Sequence, residues 1–439
     1  MRSLLLSLLF FALAGCATYQ SKPLSPIGEP APHLAELRPQ AIPGQTHVYN
    51  PADGLDADEL AMLALAHNPR LRAARAALRV SEAQVFAAGL LADPQLSLAQ
   101  DNTMTSGTTN DWAMGLGFDV GDWLMRSSRV SVAKHLHEQN RQNLLWQEWQ
   151  VVNQAHLLYT RAISLKVAIH IQQQECDLLS TAARIGHEAA AVGNLTADSA
   201  SASWFAWQAS RQRLNGLLMQ QRQNDADLHD LLGISPDDPI GLAGQLPADI
   251  PQAGTIRKQL DARLADRPDM RALRSGYQAQ DGVYRASILA QFPVLSVGLN
   301  RLQDNTPANS FGFGLNLTLP VFNGNRGNIA IAKATRAQLY DEYQLRWQSS
   351  VNEILVALDN LRQLQQLQLT AEEGQSALDQ QAEIARRAMT TGTLSETDAL
   401  RLQLAALDRS LDRLAIVESI AEQRIALDTL LGPQSGEWK

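Results

Sequence analysis

The imidazoles, carboxylates and thiols of this 439-residue chain do not assemble into a catalytic set. His135 and His137 are two apart, so on a helix their rings diverge and cannot share one metal ion. His187-Glu188 opens like a zinc-protease helix, but that chemistry needs a second His four residues after the first, where this chain has Ala191. No Gly-rich loop ends in a Lys able to cradle phosphates, so energy for any transport must come from a partner. Trp146, Trp149, Trp204 and Trp207 have helical spacing, which fits core or inter-subunit packing better than ligand binding. The expectation is a non-enzyme with no cofactor and no metal.

Cys16 is the residue with a definite chemistry. Arg2 supplies a positive n-region and Leu4 to Leu13 an apolar stretch too short to span a bilayer. The following Leu13-Ala14-Gly15-Cys16 resembles the bacterial lipobox, which implies cleavage before Cys16, lipidation of its sulfur and a new N-terminus there. Ala17, rather than Asp, favours delivery to the outer membrane by the sorting rule of such lipoproteins. Cys176 then stands alone, so no intrachain disulfide forms. A net charge of -8 supplies no basic stripe for nucleic acid. Outside the signal no apolar stretch approaches about eighteen residues, so any membrane crossing must use strands.

Landmarks recur at a constant offset. Leu65, Ala66, Pro69, Arg72 and Ala73 return as Leu264, Ala265, Pro268, Arg271 and Ala272, an offset of 199 (268 minus 69). Pro94 returns as Pro293, Gly193 as Gly392, and Leu232-Gly233 as Leu431-Gly432. The pattern predicts two tandem structural repeats. The expected organisation is a signal peptide at 1–15, a lipidated, Pro-rich extended tether at 16–51, repeat 1 at 52–235, a linker at 236–254, repeat 2 at 255–433 and a tail at 434–439.

Long proline-free tracts rich in Ala, Leu, Gln and Arg read as long helices. In each repeat the spacing predicts a helix (57–88, 256–290), a strand pair (95–120, 294–320), a long helix (129–191, 327–390) and a return helix (197–232, 396–431). At 1.5 Å per residue, a helix of about sixty residues is roughly 90 Å long and cannot belong to a compact domain. The two shorter helices together match the long one, which predicts that they lie end to end beside it. Apolar residues such as Ile354, Leu355, Leu358, Leu361 and Leu364 repeat at coiled-coil spacing, equally suited to a soluble bundle.

Between the helices the period changes to two. Trp112, Met114, Leu116 and Phe118 alternate with Ala113, Gly115, Gly117 and Asp119; Phe311, Phe313, Leu315 and Leu317 alternate with Gly312, Gly314, Asn316 and Thr318. One face is bulky and apolar and the other small or polar, as in a barrel with lipid outside and water inside. A sheet on a soluble core would show the same alternation. The lipoprotein signal, the polar loops 101–110 and 303–310 and the girdle candidates Trp123 and Phe322 favour the membrane. Four strands cannot close, and an open edge in lipid leaves backbone groups unpaired. Three copies give twelve strands, an even number found among bacterial barrels.

Asn68-Pro69, Arg267-Pro268, Leu319-Pro320-Val321-Phe322-Asn323-Gly324-Asn325-Arg326 and Gly392-Thr393-Leu394-Ser395 with Asp398 resemble the TolC-type outer membrane efflux family over nearly the whole mature chain. The resemblance implies a mostly α fold with a small antiparallel β part. Long coiled-coil helices form an α-barrel continuous with a membrane β-barrel, four strands per chain in a homotrimer. It implies an adaptor and an inner-membrane pump, of resistance-nodulation-division type, as partners, and looks closest to the metal-efflux branch. Gly193-Asn194-Leu195 and Gly392-Thr393-Leu394 match the family's periplasmic tip turns, where an adaptor docks. Asp398 matches an acidic residue of the closed mouth, Asp198 is a displaced counterpart, and the family's next acidic position is Arg401 here. The expected function is a passive outer-membrane exit duct for drugs, metal ions or other small solutes. A type I protein-secretion duct and a lipid-anchored periplasmic coiled-coil scaffold are the alternatives.

Overall fold

The computed structural model describes residues 19–24, 30–44, 47–50, 53–102, 111–246, 253–303 and 309–433. The signal peptide, Cys16 and the tips of both strand loops lie outside them.

Proline sets the first boundary in each half. Pro69 and Pro268 sit at the first helical position, where a missing N–H costs nothing, and the residue before each is extended. The predicted helices 57–88 and 256–290 are therefore each two: α1 (Ala57–His67) and α2 (Pro69–Ala88), then later α5 (Ala253–Asp266) and α6 (Pro268–Leu289). Between and after them run β1 (Gln95–Asp101), β2 (Asp111–Asp119), α3 (Val120–Ala191), α4 (Ala197–Leu232), β3 (Val294–Gln303), β4 (Asn309–Thr318), α7 (Arg326–Thr390) and α8 (Glu396–Leu431). The same element order occurs twice.

One predicted boundary is corrected. The long helix α3 begins at Val120, not at 129, and has 72 residues. The Asp119 carboxylate accepts hydrogen bonds from the backbone N–H of Gly121 and Asp122, so the chain turns from strand into helix without a loop and Val120 leaves the strand pattern. The helix spans about 108 Å and α7, with 65 residues, about 98 Å.

All four strands form one antiparallel sheet in the order β1-β2-β3-β4. β2 and β3 pair across the two halves of the chain, with Gly115 opposite Asn300 and Leu116 opposite Leu299. β1 and β4 are left as open edges. Beneath the sheet the helices form a curtain: α2 and α4 both pack along α3, α3 packs in turn on α6 and α8, and α7 closes the row against α6 and α8.

The buried core lies around the middle of the curtain. One cluster joins α1 (Leu60, Leu63, Leu65) to Val152, Ala155 and Leu158 of α3 and Leu228 and Leu232 of α4; a second joins Leu264, Ile354, Leu358, Leu361 and Leu427. The segment before α1 is tied to the same place, since Leu55 forms a parallel bridge with Leu242. The Tyr159 hydroxyl donates to the Ala243 carbonyl at 2.6 Å, which anchors the chain following α4 against α3.

Candidate functional site

The strand register decides which side chains share a surface. Directly opposed residues point the same way. Leu98, Met114, Arg301 and Phe311 therefore form one row across the sheet, and Leu96, Leu116, Leu299 and Phe313 the next. Trp112, Met114, Leu116, Phe118, Phe311, Phe313, Leu315 and Leu317 all fall on this bulky face, as expected from their alternation. In the single chain Phe313 is 64% and Leu315 62% exposed. Nothing among the described residues covers them. This arrangement opposes a soluble sheet packed on its own core, because a row of large apolar residues is left in water.

The other face is small and acidic. It carries Ser97, Ala113, Gly115, Gly117, Ser296, Gly298, Asn300, Gly312, Gly314 and Asn316, together with Asp101, Asp111 and Asp119 and no cation. It is also tight: a Cβ on Gly115 would lie 2.5 Å from Ser97 Oγ and 2.9 Å from Asn300 Oδ1. Asp101 and Asp111 face each other at the loop end, an unfavourable like-charge pair.

Between sheet and curtain the joints are specific. Arg126 Nε donates to the Gly89 carbonyl at 2.6 Å, and Asp122 accepts from Ala92 N while pairing with Arg129. On the other hairpin, Asn325 takes a left-handed conformation (φ 55°) and its amide donates to the Ser287 carbonyl at 2.7 Å. Phe322 and Trp123 project beside these joints, 97% and 57% exposed.

At the far end of the curtain, Gly193 (φ 78°) and Gly392 (φ 74°) make the turns from α3 into α4 and from α7 into α8. Both glycines have the left-handed backbone that ends a helix without a Cβ penalty. Asn194, Leu195, Thr393 and Leu394 complete the turns. Thr196 and Ser395 then cap the next helices, accepting from Ser199 N at 3.3 Å and Asp398 N at 3.1 Å. Asp398 and Asp198 each lie in the first turn of a helix and are exposed. Asp398 also accepts from the Ser395 hydroxyl at 2.6 Å and has the Arg401 guanidinium 3.8 Å away. Sequence reasoning had noted Arg401 only as a missing carboxylate; its position makes it a counter-ion within the same chain.

Among the described residues, His47, Asp56 and Glu59 hold ligand atoms within 4.8 Å of one another. Both carboxylates are engaged in the reciprocal cap of α1, Asp56 with Glu59 N and Glu59 with Asp56 N, and the His47 ring bonds Asp56 at 3.0 Å. Helix capping accounts for the grouping.

Residues 260–433 match the family model of the outer membrane efflux protein. The chain is 23% identical to the cobalt-zinc-cadmium resistance protein CzcC of Cupriavidus metallidurans over 392 residues, 84% of this chain and 88% of that protein. Its fold is similar to that of the Campylobacter jejuni CmeC outer membrane channel (TM-score 0.71, 15% identity, 95% of each chain). A crystal structure of CusC is also similar (TM-score 0.69, 18% identity, 92% of this chain and 99% of that one). The similar folds are those of outer membrane channels. A two-faced sheet left open at both edges, carried on a curtain of helices about 100 Å long, is the protomer such a channel requires, and over residues 260–433 the chain is similar to the outer membrane efflux protein family.

Proposed function

We propose that three copies of this chain close into a single tunnel that serves as the outer-membrane exit duct of a tripartite efflux system, with divalent metal ions as the cargo class. The bulky sheet face, uncovered in the single chain, carries the reading. In lipid it is a favourable outer surface, and the acidic small-residue face becomes a water-filled lumen. Closure follows from the edges. β1 and β4 each expose a row of unpaired backbone groups, intolerable in hydrocarbon unless a neighbouring copy pairs with them. The curtain has matching free flanks, Val80, Phe86, Phe205 and Met219 on one side and Ile331, Leu345, Val356 and Leu369 on α7.

In this assembly Cys16 carries the lipid anchor. The turns at Gly193-Asn194-Leu195 and Gly392-Thr393-Leu394 receive a periplasmic adaptor bound to a resistance-nodulation-division pump, and Asp398 lines the closed mouth. The similarity to a cobalt-zinc-cadmium resistance protein supports metal cargo, and Asp101, Asp111 and Asp119 on the lumen face supply the negative potential that favours cations.

Two experiments test the reading. Purified trimer should conduct in planar bilayers with cation preference; no conductance from folded trimer overturns it. Cysteines introduced at Thr105 and Asn305 should react with an impermeant maleimide on intact cells. Labelling only after the outer membrane is broken would leave the strands in the periplasm, as a scaffold requires.

A further inference from the structure

The bulky face of the sheet holds seventeen residues of the four strands, and Arg301 is its one charged side chain. It lies between Met114 and Phe311 in the row that follows Leu299 and Phe313. Counted from the Leu295–Leu317 row, six residues at about 3.4 Å on a strand tilted by about 40° place it roughly 15 Å up the barrel, in the loop-side part of an apolar band about 25 Å tall. A guanidinium is costly at the middle of such a band and nearly free at its rim. The next row toward the loops, Gln100, Trp112, Gln303 and Asn309, is made of hydrogen-bonding side chains, with the amphipathic indole of Trp112 beside Gln303. Such a row suits a headgroup layer.

Arg301 is exposed and takes part in no hydrogen bond or ion pair among the described residues. Among the described residues no carboxylate of the strands shares its face, since Asp101, Asp111 and Asp119 all point to the other side. Nor does assembly cover it. Neighbouring copies add to β1 and β4, whereas β3 is an inner strand already paired on both sides by β2 and β4. A counter-ion supplied by the membrane fits this position.

We propose that Arg301, with the Trp112 indole and the Gln100 and Gln303 amides around it, holds the phosphate of a lipid headgroup in the outer leaflet, fixing the barrel's height in the membrane. The inference rests on the membrane-spanning reading above. A planar guanidinium offers two parallel N–H donors to a phosphate, which a lone Gln cannot replace.

The test uses the full-length protein in nanodiscs of phosphatidylcholine doped with diphosphoryl lipid A, with lipid retained per trimer counted by native mass spectrometry. Wild type should retain lipid A, and Arg301→Gln should lower retention roughly tenfold, the scale of one charge-assisted hydrogen bond. Arg301→Lys should restore part of it. Undiminished retention by Arg301→Gln overturns the proposal. Single-channel conductance of the same samples separates the two failures: if Arg301→Gln conducts like wild type and keeps its lipid, only the lipid site falls. A wild type that neither inserts nor conducts removes the spanning reading as well.

Discussion

Arg267 is fully buried and grips Asp269 with two nitrogens, Nε to Oδ1 at 2.6 Å and NH2 to Oδ2 at 2.9 Å. The same guanidinium donates from NH1 to the Leu430 carbonyl at 2.6 Å and from NH2 to Ser350 Oγ at 2.5 Å, and lies 5.2 Å from the centre of the Trp146 ring. It thus clamps the start of α6 to the end of α8 and to α7. In the first half, Asn68 does the equivalent work with one amide, donating to the Leu231 carbonyl at 2.8 Å.

Removing this cation leaves Asp269 with Arg346 and the Met270 N–H, and takes from the Leu430 carbonyl its Arg267 donor. Arg267→Ala should destabilise the protein by about 3–5 kcal/mol, the usual cost of breaking a buried pair on one side. Thermal and denaturant unfolding of the detergent-solubilised protein should show the loss. Asn68→Ala, which removes only neutral hydrogen bonds, should cost less, about 1–3 kcal/mol.

Gly432 ends α8 at φ 73° and ψ 172°, a region that only glycine occupies readily, and a Cβ there would lie 2.7 Å from Arg267 Cγ. Gly432→Ala should cost about 1–3 kcal/mol from the backbone alone, and the clash adds to it. Gly216, with open space around it, should accept Ala or gain slightly in the same unfolding assay.

Near the lower end of α7, hydrogen bonds from Arg386 and then Arg387 hold the Glu383 carboxyl far below its ordinary 4.5, to about 2. A lowered folded-state value means that the ionised form is the stabilised one. The contribution is complete above pH 4.5 and is lost as pH falls toward 2. Amide exchange around 383–387 should therefore be insensitive to this group from neutral pH down to 4.5 and should quicken below it. Glu383→Gln should quicken it already at neutral pH and flatten that acid dependence; an unchanged profile would show that the cluster adds nothing to the helix end.

Asp398 and Arg401 are 3.8 Å apart in one chain, so in the proposed trimer a ring of three such pairs at the mouth would carry little net charge. Arg401→Ala should raise cation preference, read as a larger reversal potential across a KCl gradient. Asp398→Asn should lower it, leaving Arg401 unopposed. If neither variant shifts the reversal potential, the constriction lies elsewhere.

The sequence alone determined what is local and periodic. Alternation assigned Phe313 and Leu315 to one surface and Gly312 and Gly314 to the other, because successive strand side chains point to opposite faces. Gly193 and Gly392 marked turns through their backbone freedom, whereas the helices were read straight through Pro69 and Pro268, where the structure starts new ones. Even there, a local boundary was misplaced: the long helix was expected from 129, but the Asp119 carboxylate satisfies the free N–H groups that a helix start leaves, and the helix begins at Val120. Tertiary structure alone decided the pairing of β2 with β3, whose nearest paired residues in sequence, Asp119 and Ser296, are 177 positions apart (296 minus 119). It also decided that Arg267 is buried and that Arg301 faces outward without a partner. Local patterns say which residues share a face; they cannot say what that face meets, since contact between distant segments depends on loop closure and on the mutual fit of whole elements.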